Sequence, residues 1–474
     1  MLFRSIFFPA SINLDLYNQA HYDLGYCHFK LEAWGESATW FRKFLTGKID
    51  AGDFRKSDAQ VRLGDDYFML KNYDQAESNY SEAIKNKNNS ADYCYFQLGM
   101  IKGLQGDNQG KINSMNSIQQ NYPRSGFIDD ATFEKGRALL ESGKQTDALQ
   151  QFQKLIADFP SSNYSGQANL KSALIYFNQG EDDKAERTYK QIVSANPKSM
   201  EASEALNGLK NIYIKEGTPE KLKEVYDALP LPKLTEGVQD SIFYESAEQS
   251  LQKEDYKKAA DAFDAYLNKF PNGSFVLNAT FYKAECNLKL KDYAAALSGY
   301  ETVISNPRNV FTEKSLFRAA VLNYTNKNYS KALEEFQKLE QVADFKDNIL
   351  NSYAGQMRCN FMLNNCDAAL IYCQKLLQDE KTSKEVVQEA NYYSGKCALQ
   401  KEDLVLSRQA FREVEKLPGE RGAEAKYSLA LILNKEKKYK DSNKKAFEVI
   451  KQDPSYDFWR AKCFRSEEHT SELQ

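Results

Sequence analysis

One spacing governs this chain. From Ala148, steps of 37 residues land on Ala185, Leu222, Ala259 and Ala296, and steps of 36, 37, 38 and 35 continue to Ala332, Ala369, Ser407 and Ser442. Upstream the frame meets Lys111 and Ala76. Four residues later stands a large side chain in most units: Tyr80, Met115, Phe152, Tyr189, Tyr226, Phe263, Tyr300, Phe336 and Phe411, with Cys373 and Ala446 the weak members. A small residue followed one helical turn later by a ring makes a close-contact point beside a plug. A period of about 34–38 residues carrying that pair specifies stacked helical hairpins, each burying its apolar side against its neighbours. Such a chain is expected to bind rather than to catalyse.

The stretch 129–165 sets out one unit. A first helix, A, is expected from about Asp130 to Ser142, with Phe133, Gly136, Leu139 and Leu140 at helical spacing. Gly143 and Lys144 make the turn, where glycine accepts a left-handed backbone. Helix B is expected from about Thr146 to Asp158 and carries Ala148, Phe152, Leu155 and Ile156. Gly136 falls where A approaches B. Gly25, Gly64, Gly99 and Gly395 fill that slot elsewhere, and Ala173, Ala247, Ala284, Ala320 and Ala430 replace it. A mid-helix glycine costs about 1 kcal/mol against alanine, so backbone proximity is the expected reason for keeping it. Tyr73, Tyr256, Tyr293, Tyr329 and Tyr439 should each open a helix B.

The array resembles the tetratricopeptide repeat family. Leu63-Gly64, Tyr67, Ala76, Tyr80 and Ala83 match its pattern, as do Leu98-Gly99 with Pro123, and Ala173, Tyr176, Ala185, Tyr189 and Pro197. The resemblance implies an all-α, right-handed superhelical solenoid of about twelve helix-turn-helix units, with a concave wall of A helices that grips protein partners. The frame predicts a continuous solenoid over residues 6–455, because Leu222 to Ala259 is still 37 across the proline-rich Leu229–Gly237 stretch. Residues 456–464 begin a further helix A.

The two ends read differently. Residues 465–474, RSEEHTSELQ, resemble the translation of a short-read sequencing adapter. The LFRS of residues 2–5 can be encoded by the reverse complement of the DNA for RSEE. Residues 1–5 and 465–474 are therefore expected to be adapter-derived artefacts, set aside from fold reasoning.

Composition narrows the function classes. A formal net charge of −3, with basic and acidic residues interleaved, argues against nucleic acid as partner. No apolar run approaches the roughly 20 residues of a membrane span. The eight cysteines, Cys27, Cys94, Cys286, Cys359, Cys366, Cys373, Cys397 and Cys463, form no Cys-x-x-Cys pair and read as buried structural thiols. The seven-residue spacing of Cys359, Cys366 and Cys373 spans two helices and is no zinc pattern. Phosphate-loop, dinucleotide, zinc-protease and nucleophile-elbow motifs are all missing. No cofactor, metal or catalytic residue is expected.

The resemblance places the concave wall at helix-A positions three before, one after and four after the Gly/Ala slot. The first reads Tyr22, Val61, Phe96, Phe133, Leu170, Tyr244, Phe281, Phe317, Ala354, Tyr392 and Tyr427, and the charges following the slot include Asp65, Arg137, Glu248, Glu285, Arg358 and Lys396. Phe96, Phe133, Arg137, Tyr244, Phe281, Phe317, Tyr324, Arg358 and Tyr392 are the candidate partner-binding residues. The plainer alternative is that these rings only pack neighbouring A helices. Family members that clamp a terminal carboxylate carry lysine at the first groove position, where this chain has aromatics, so that variant is not expected. The inter-repeat loops Asn121–Ser125, Phe159–Tyr164 and Phe270–Gly273 share an aromatic-Pro-x-Ser/Gly pattern. They resemble loops of bacterial envelope repeat proteins, including long proteins of Bacteroidota. A non-catalytic scaffold for a protein or peptide is expected, in the periplasm or at the outer membrane rather than in the cytoplasm. Self-assembly of the solenoid and binding of glycan or peptidoglycan on the aromatic groove stay open as alternatives.

Overall fold

The computed structural model describes residues 14–47, 49 and 52–471, and all regular structure among them is helical. The chain divides into two compact units between Leu234 and Thr235, inside the proline-rich stretch. The first unit holds α1 (Leu14–Lys30), α2 (Trp34–Thr46), α3 (Phe54–Met69), α4 (Tyr73–Lys85), α5 (Ala91–Leu104), α6 (Asn108–Asn121), α7 (Ile128–Glu141), α8 (Gln145–Asp158), α9 (Ser165–Asn178), α10 (Asp182–Ala195), α11 (Met200–Glu216) and α12 (Glu220–Asp227). The second holds α13 (Glu236–Gln252), α14 (Tyr256–Lys269), α15 (Val276–Lys289), α16 (Tyr293–Ser305), α17 (Thr312–Thr325), α18 (Tyr329–Val342), α19 (Lys346–Met362), α20 (Cys366–Gln378), α21 (Lys384–Gln400), α22 (Leu404–Val414), α23 (Glu420–Lys435), α24 (Tyr439–Ile450) and α25 (Asp457–Ser471).

Odd-numbered helices are A helices and even-numbered ones B helices. Within each unit every helix packs on the one before and the one after. The approaches that skip a helix join A to A, as in α1 with α3, α9 with α11, and α19 with α21. The A helices therefore form the tighter wall of each stack. Each unit is a helical-hairpin solenoid, as the period requires.

The turns show why the hairpins are so regular. Residues with positive φ stand just before helix B in all twelve hairpins: Gly106, Gly143, Gly180 and Gly217, and the non-glycines Glu32, Lys71, Glu254, Lys291, Lys327, Asn364, Glu402 and Lys437. The next residue donates its amide to a carbonyl five residues back, as Asn72 does to Tyr67 at 2.8 Å and Lys144 to Leu139 at 2.9 Å. This closes helix A with a Schellman motif. Where that residue is Asn or Asp it also caps helix B in every hairpin but that of Asn328: Asp107 accepts from the Gly110 amide at 2.7 Å and Asp403 from Leu406 at 3.0 Å. Tyr73, Tyr256, Tyr293, Tyr329 and Tyr439 each open a B helix.

The frame alanines and nearly all their ring partners are buried, including Ala148, Phe152, Ala296 and Tyr300 at 0% exposure; Tyr226 is only half-buried. Ser37 and Phe41 in α2 extend the frame one unit upstream and are likewise buried. Where serine fills the small position its hydroxyl donates to the slot carbonyl of its own helix A: Ser37 to Gly25 at 3.1 Å, Ser407 to Gly395 at 2.9 Å and Ser442 to Ala430 at 2.8 Å. Lys111 is accommodated differently. Its stem passes Gly103 and its ammonium is paired with buried Glu134 of α7.

The residues set apart at the N-terminus, 1–5, lie outside the described residues. At the other end the segment expected at 456–464 forms the start of α25, which begins at Asp457 and runs on to Ser471, with the Cys463 side chain buried in the last cluster.

Candidate functional site

The helix-A wall is built from side chains at fixed distances from the Gly/Ala slot, so their fates can be compared register by register. At three before the slot, Phe133, Tyr244 and Phe281 are 2%, 5% and 2% exposed. Each lies flat on a ring from the loop leading into the next A helix: Phe133 on Tyr164 at 4.6 Å, Tyr244 on Phe275 at 4.5 Å, and Phe281 on Phe311 at 4.3 Å. Half-buried Phe96 stacks on Phe127 in the same manner at 5.5 Å. Such pairs are worth about 0.5–1.5 kcal/mol beyond their buried area. They fasten repeat to repeat and leave Phe133, Tyr244 and Phe281 little surface for a partner. Phe317 is half-buried, and Tyr324 stands edge-on to Tyr329 at 5.3 Å with part of its surface open.

The position after the slot follows a second rule. It bonds to the residue six before the slot of the next A helix. Tyr26 donates to Asp58 at 2.5 Å, and Tyr93 donates to Asp65 at 2.8 Å. Lys314 pairs with Glu285 at 2.9 Å, Arg358 Nε with both oxygens of Glu389 at 3.0 Å, and Lys396 with Glu424 at 2.9 Å. These rungs tie successive A helices across the wall. Tyr392 joins the last one, donating to Glu424 at 2.6 Å, with the Arg421 guanidinium 5.2 Å from its ring centroid. The half-buried Glu285 carboxyl is held below its usual range: hydrogen bonds from Tyr300 and Lys314 outweigh burial, which alone would raise it.

Other steps carry no rung. Arg137 turns back to Glu134 at 3.0 Å and Glu141 at 3.8 Å on its own helix. Leu174 and Val321 occupy the same register and are 44% and 41% exposed. The structure thus brings Arg358 and Tyr392 into one charged cluster, leaves Arg137, Phe317 and Tyr324 open in part, and packs Phe133, Tyr244 and Phe281 inward.

Sequence reasoning missed Asn207 and Asn211 of α11. They occupy the positions three before and one after Lys210, which replaces the Gly/Ala slot there. The signal was available, because Leu222 of the frame lies twelve residues past Lys210, the offset that separates Ser407 from Gly395.

All eight cysteines are free thiols; Cys27 is exposed and the other seven are buried. Burial pushes Cys94, Cys359 and Cys373 each up to about 12, so they stay protonated and inert at neutral pH. Among the described residues no group of three or more His, Cys, Asp or Glu side chains is arranged to hold a metal ion. No helix there is long and apolar enough to cross a membrane.

Fold and wall together define a helical-hairpin repeat protein. A family profile described as tetratricopeptide repeat matches residues 133–199, and one described as outer membrane lipoprotein (YfiO) matches residues 236–309. The chain is a tetratricopeptide-repeat protein. Two Pseudomonas putida proteins named cell division coordinator CpoB are 33% identical over 54 residues, or 11% of this chain. The match spans a fifth, 20%, of the length of those relatives. Similar solved structures include the Naa15/Naa10 complex bound to HypK-THB, with 13% identity, a TM-score of 0.43, and coverage of 86% of this chain and 65% of that one. The P58(IPK) repeat domain shows 16% identity and a TM-score of 0.25 over 81% of this chain and 99% of its own. A tetratricopeptide repeat protein of Parabacteroides merdae shows 15% identity and a TM-score of 0.24 over 65% and 100%.

Proposed function

We propose that this protein is a non-catalytic scaffold whose helix-A wall holds a peptide or protein partner in the bacterial cell envelope. The observation that carries the reading is the open step at α17 and α19. Val321 replaces the rung residue and is 41% exposed, flanked by half-buried Phe317 and Tyr324. A helix wall that buries its rings elsewhere but leaves an apolar step open offers a preformed contact surface with little ordering cost. Arg358 and Tyr392 of the same unit add polar and aromatic contacts, which set register more than affinity, and Arg137 and Phe96 offer such contacts on the wall of the first unit. The envelope assignment draws on the outer-membrane lipoprotein profile over residues 236–309 and on the short likeness to the cell division coordinator.

A photo-crosslinking residue placed at Val321 tests the reading in intact cells. Val405, at the start of a B helix and 76% exposed, is the control position. A discrete adduct at 321 without one at 405 is expected. Equal labelling at both positions, or none at 321, removes the reading.

A further inference from the structure

Two tyrosine plugs hand their hydroxyls to a carboxylate at the position after the slot. Tyr80 donates to Asp65 at 2.7 Å and Tyr300 to Glu285 at 2.5 Å. Tyr189 is the same plug in α10, and the matching position on α9 is Leu174, which has no acceptor. Tyr189 is 3% exposed, and among the described residues none takes its hydroxyl. The ring is buried while the hydroxyl keeps contact with solvent, where a ligand group can take it.

That phenol lines a cavity of about 270 Å³ on the helix-A side. Leu170, Leu174 and Phe177 of α9 form its apolar floor. The hydroxyl-bearing end of the Tyr189 ring rests against Gly208 of α11, where even a methyl group would collide with it. The rim is one face of α11: Glu204, Asn207 and Asn211, at the positions six before, three before and one after the slot. All three side chains are exposed. None of the three side chains bonds to another described residue. Asparagine disfavours a helix interior, so two on one exposed face stabilise nothing locally. An acid at the position of Glu204 completes a rung in other repeats, and here Leu174 gives it nothing to pair with.

We infer that this pocket is a binding subsite for an extended peptide bearing an apolar residue next to a basic one. The inference rests on the reading that the helix-A wall holds a peptide, and it names the site and the chemistry. The apolar side chain enters over Leu174 and Phe177. The Tyr189 hydroxyl donates to a main-chain carbonyl. The Asn207 and Asn211 amides, each both donor and acceptor, match the alternating groups of an extended main chain. Glu204 pairs with the basic neighbour. A cavity of about 150 Å³ already holds a benzene ring, so 270 Å³ accommodates phenylalanine or leucine.

The test uses the full chain and fluorescein-labelled capped hexapeptides with Phe, Leu or Ala at the third place, followed by Lys or Glu. Anisotropy titrations should show saturable binding of the Phe-Lys and Leu-Lys peptides, and at least tenfold weaker binding with Ala or with Glu. Tyr189→Phe keeps the plug and removes only the hydroxyl; it should weaken binding about fivefold. Asn207→Ala with Asn211→Ala should weaken it at least tenfold. Tyr300→Phe, whose hydroxyl serves Glu285, should leave binding unchanged. If Tyr189→Phe and the double variant bind as well as wild type while Tyr324→Ala and Arg358→Ala do not, this subsite is wrong and the wider groove reading survives. Saturable binding of none of the peptides overturns the subsite outright, and the crosslink at Val321 then decides the groove separately.

Discussion

Gly136 and Phe152 meet so closely that a Cβ on the glycine would stand 2.6 Å from the ring. The same contact joins Gly64 to Tyr80 at 2.7 Å and Gly395 to Phe411 at 2.8 Å. Glycine to alanine in a helix interior ordinarily gains about 1 kcal/mol. Here the ring cannot retreat, because Phe152 is fully buried between α7 and its neighbours. Gly136→Ala should therefore destabilise these hairpins by about 1–3 kcal/mol, as overpacking does, and Ala148→Leu by a similar amount. Phe152→Ala should cost roughly 3–5 kcal/mol through the cavity it leaves. Hydrogen exchange of the α7 and α8 amides reads all three; a gain for Gly136→Ala would place the ring elsewhere.

Eight of the twelve hairpin turns hold a Lys, Glu or Asn in the left-handed region where the others use glycine. A residue with a Cβ pays roughly 1–2 kcal/mol to sit there. Glycine removes that strain but loses more chain entropy on folding, so the net gain is smaller. Lys291→Gly, at φ 65°, should stabilise its hairpin by about 0.5–1 kcal/mol, and Gly143→Ala, at φ 75°, should destabilise by about 1 kcal/mol. Thermal melts of the paired variants check the opposite signs.

The period of the small residue and its ring made the hairpins legible, because burial at the A–B contact tolerates few alternatives. Helix B of the unit at 129–165 was expected from Thr146 and begins at Gln145; helix A was expected from Asp130 and begins at Ile128. The wall was less legible. Aromatics three before the slot look alike in sequence whether they face solvent or a neighbour. Phe133 and Phe281 are closed by Tyr164 and Phe311, loop residues that no helical periodicity marks. The rungs join residues near but not at the repeat spacing, so Arg358 and Glu389 read as unrelated surface charges until the A helices are side by side. Asn207 was hidden because Lys210 and Leu222 stand where the pattern expects small residues.

The rung between Arg358 and Glu389 is part-exposed, at 33% and 12% for the two side chains. Solvent screening limits such a pair, while its two-point geometry favours it. A double-mutant cycle with Arg358→Ala and Glu389→Ala should give a coupling of about 1 kcal/mol, measured as slowed exchange in α19 and α21. A cycle between Arg137 and Gln167, across a step of the first unit that carries no rung, should give none.

Asp66 in α3 is fully buried, and neither carboxylate oxygen receives a hydrogen bond. The Ser37 hydroxyl beside it is turned to the Gly25 carbonyl. Burial pushes its carboxyl up to about 7, with Asp65 adding to the rise and Arg62 opposing it. The unfolded chain releases this proton near pH 4, at the ordinary aspartate value of about 3.9. Between about 4 and about 7 the folded state therefore holds a proton that the unfolded state has lost. Stability contributed by this group must fall as pH rises through that window, by up to about 1.4 kcal/mol per pH unit, and level off above it. Asp66→Asn keeps the shape without the charge. It should leave stability at or below about pH 4 little changed, raise it at pH 8, and flatten the slope of α2 and α3 exchange between those values. An unchanged slope in the variant would assign the pH dependence to other groups of the first hairpins and leave Asp66 ionised in the fold.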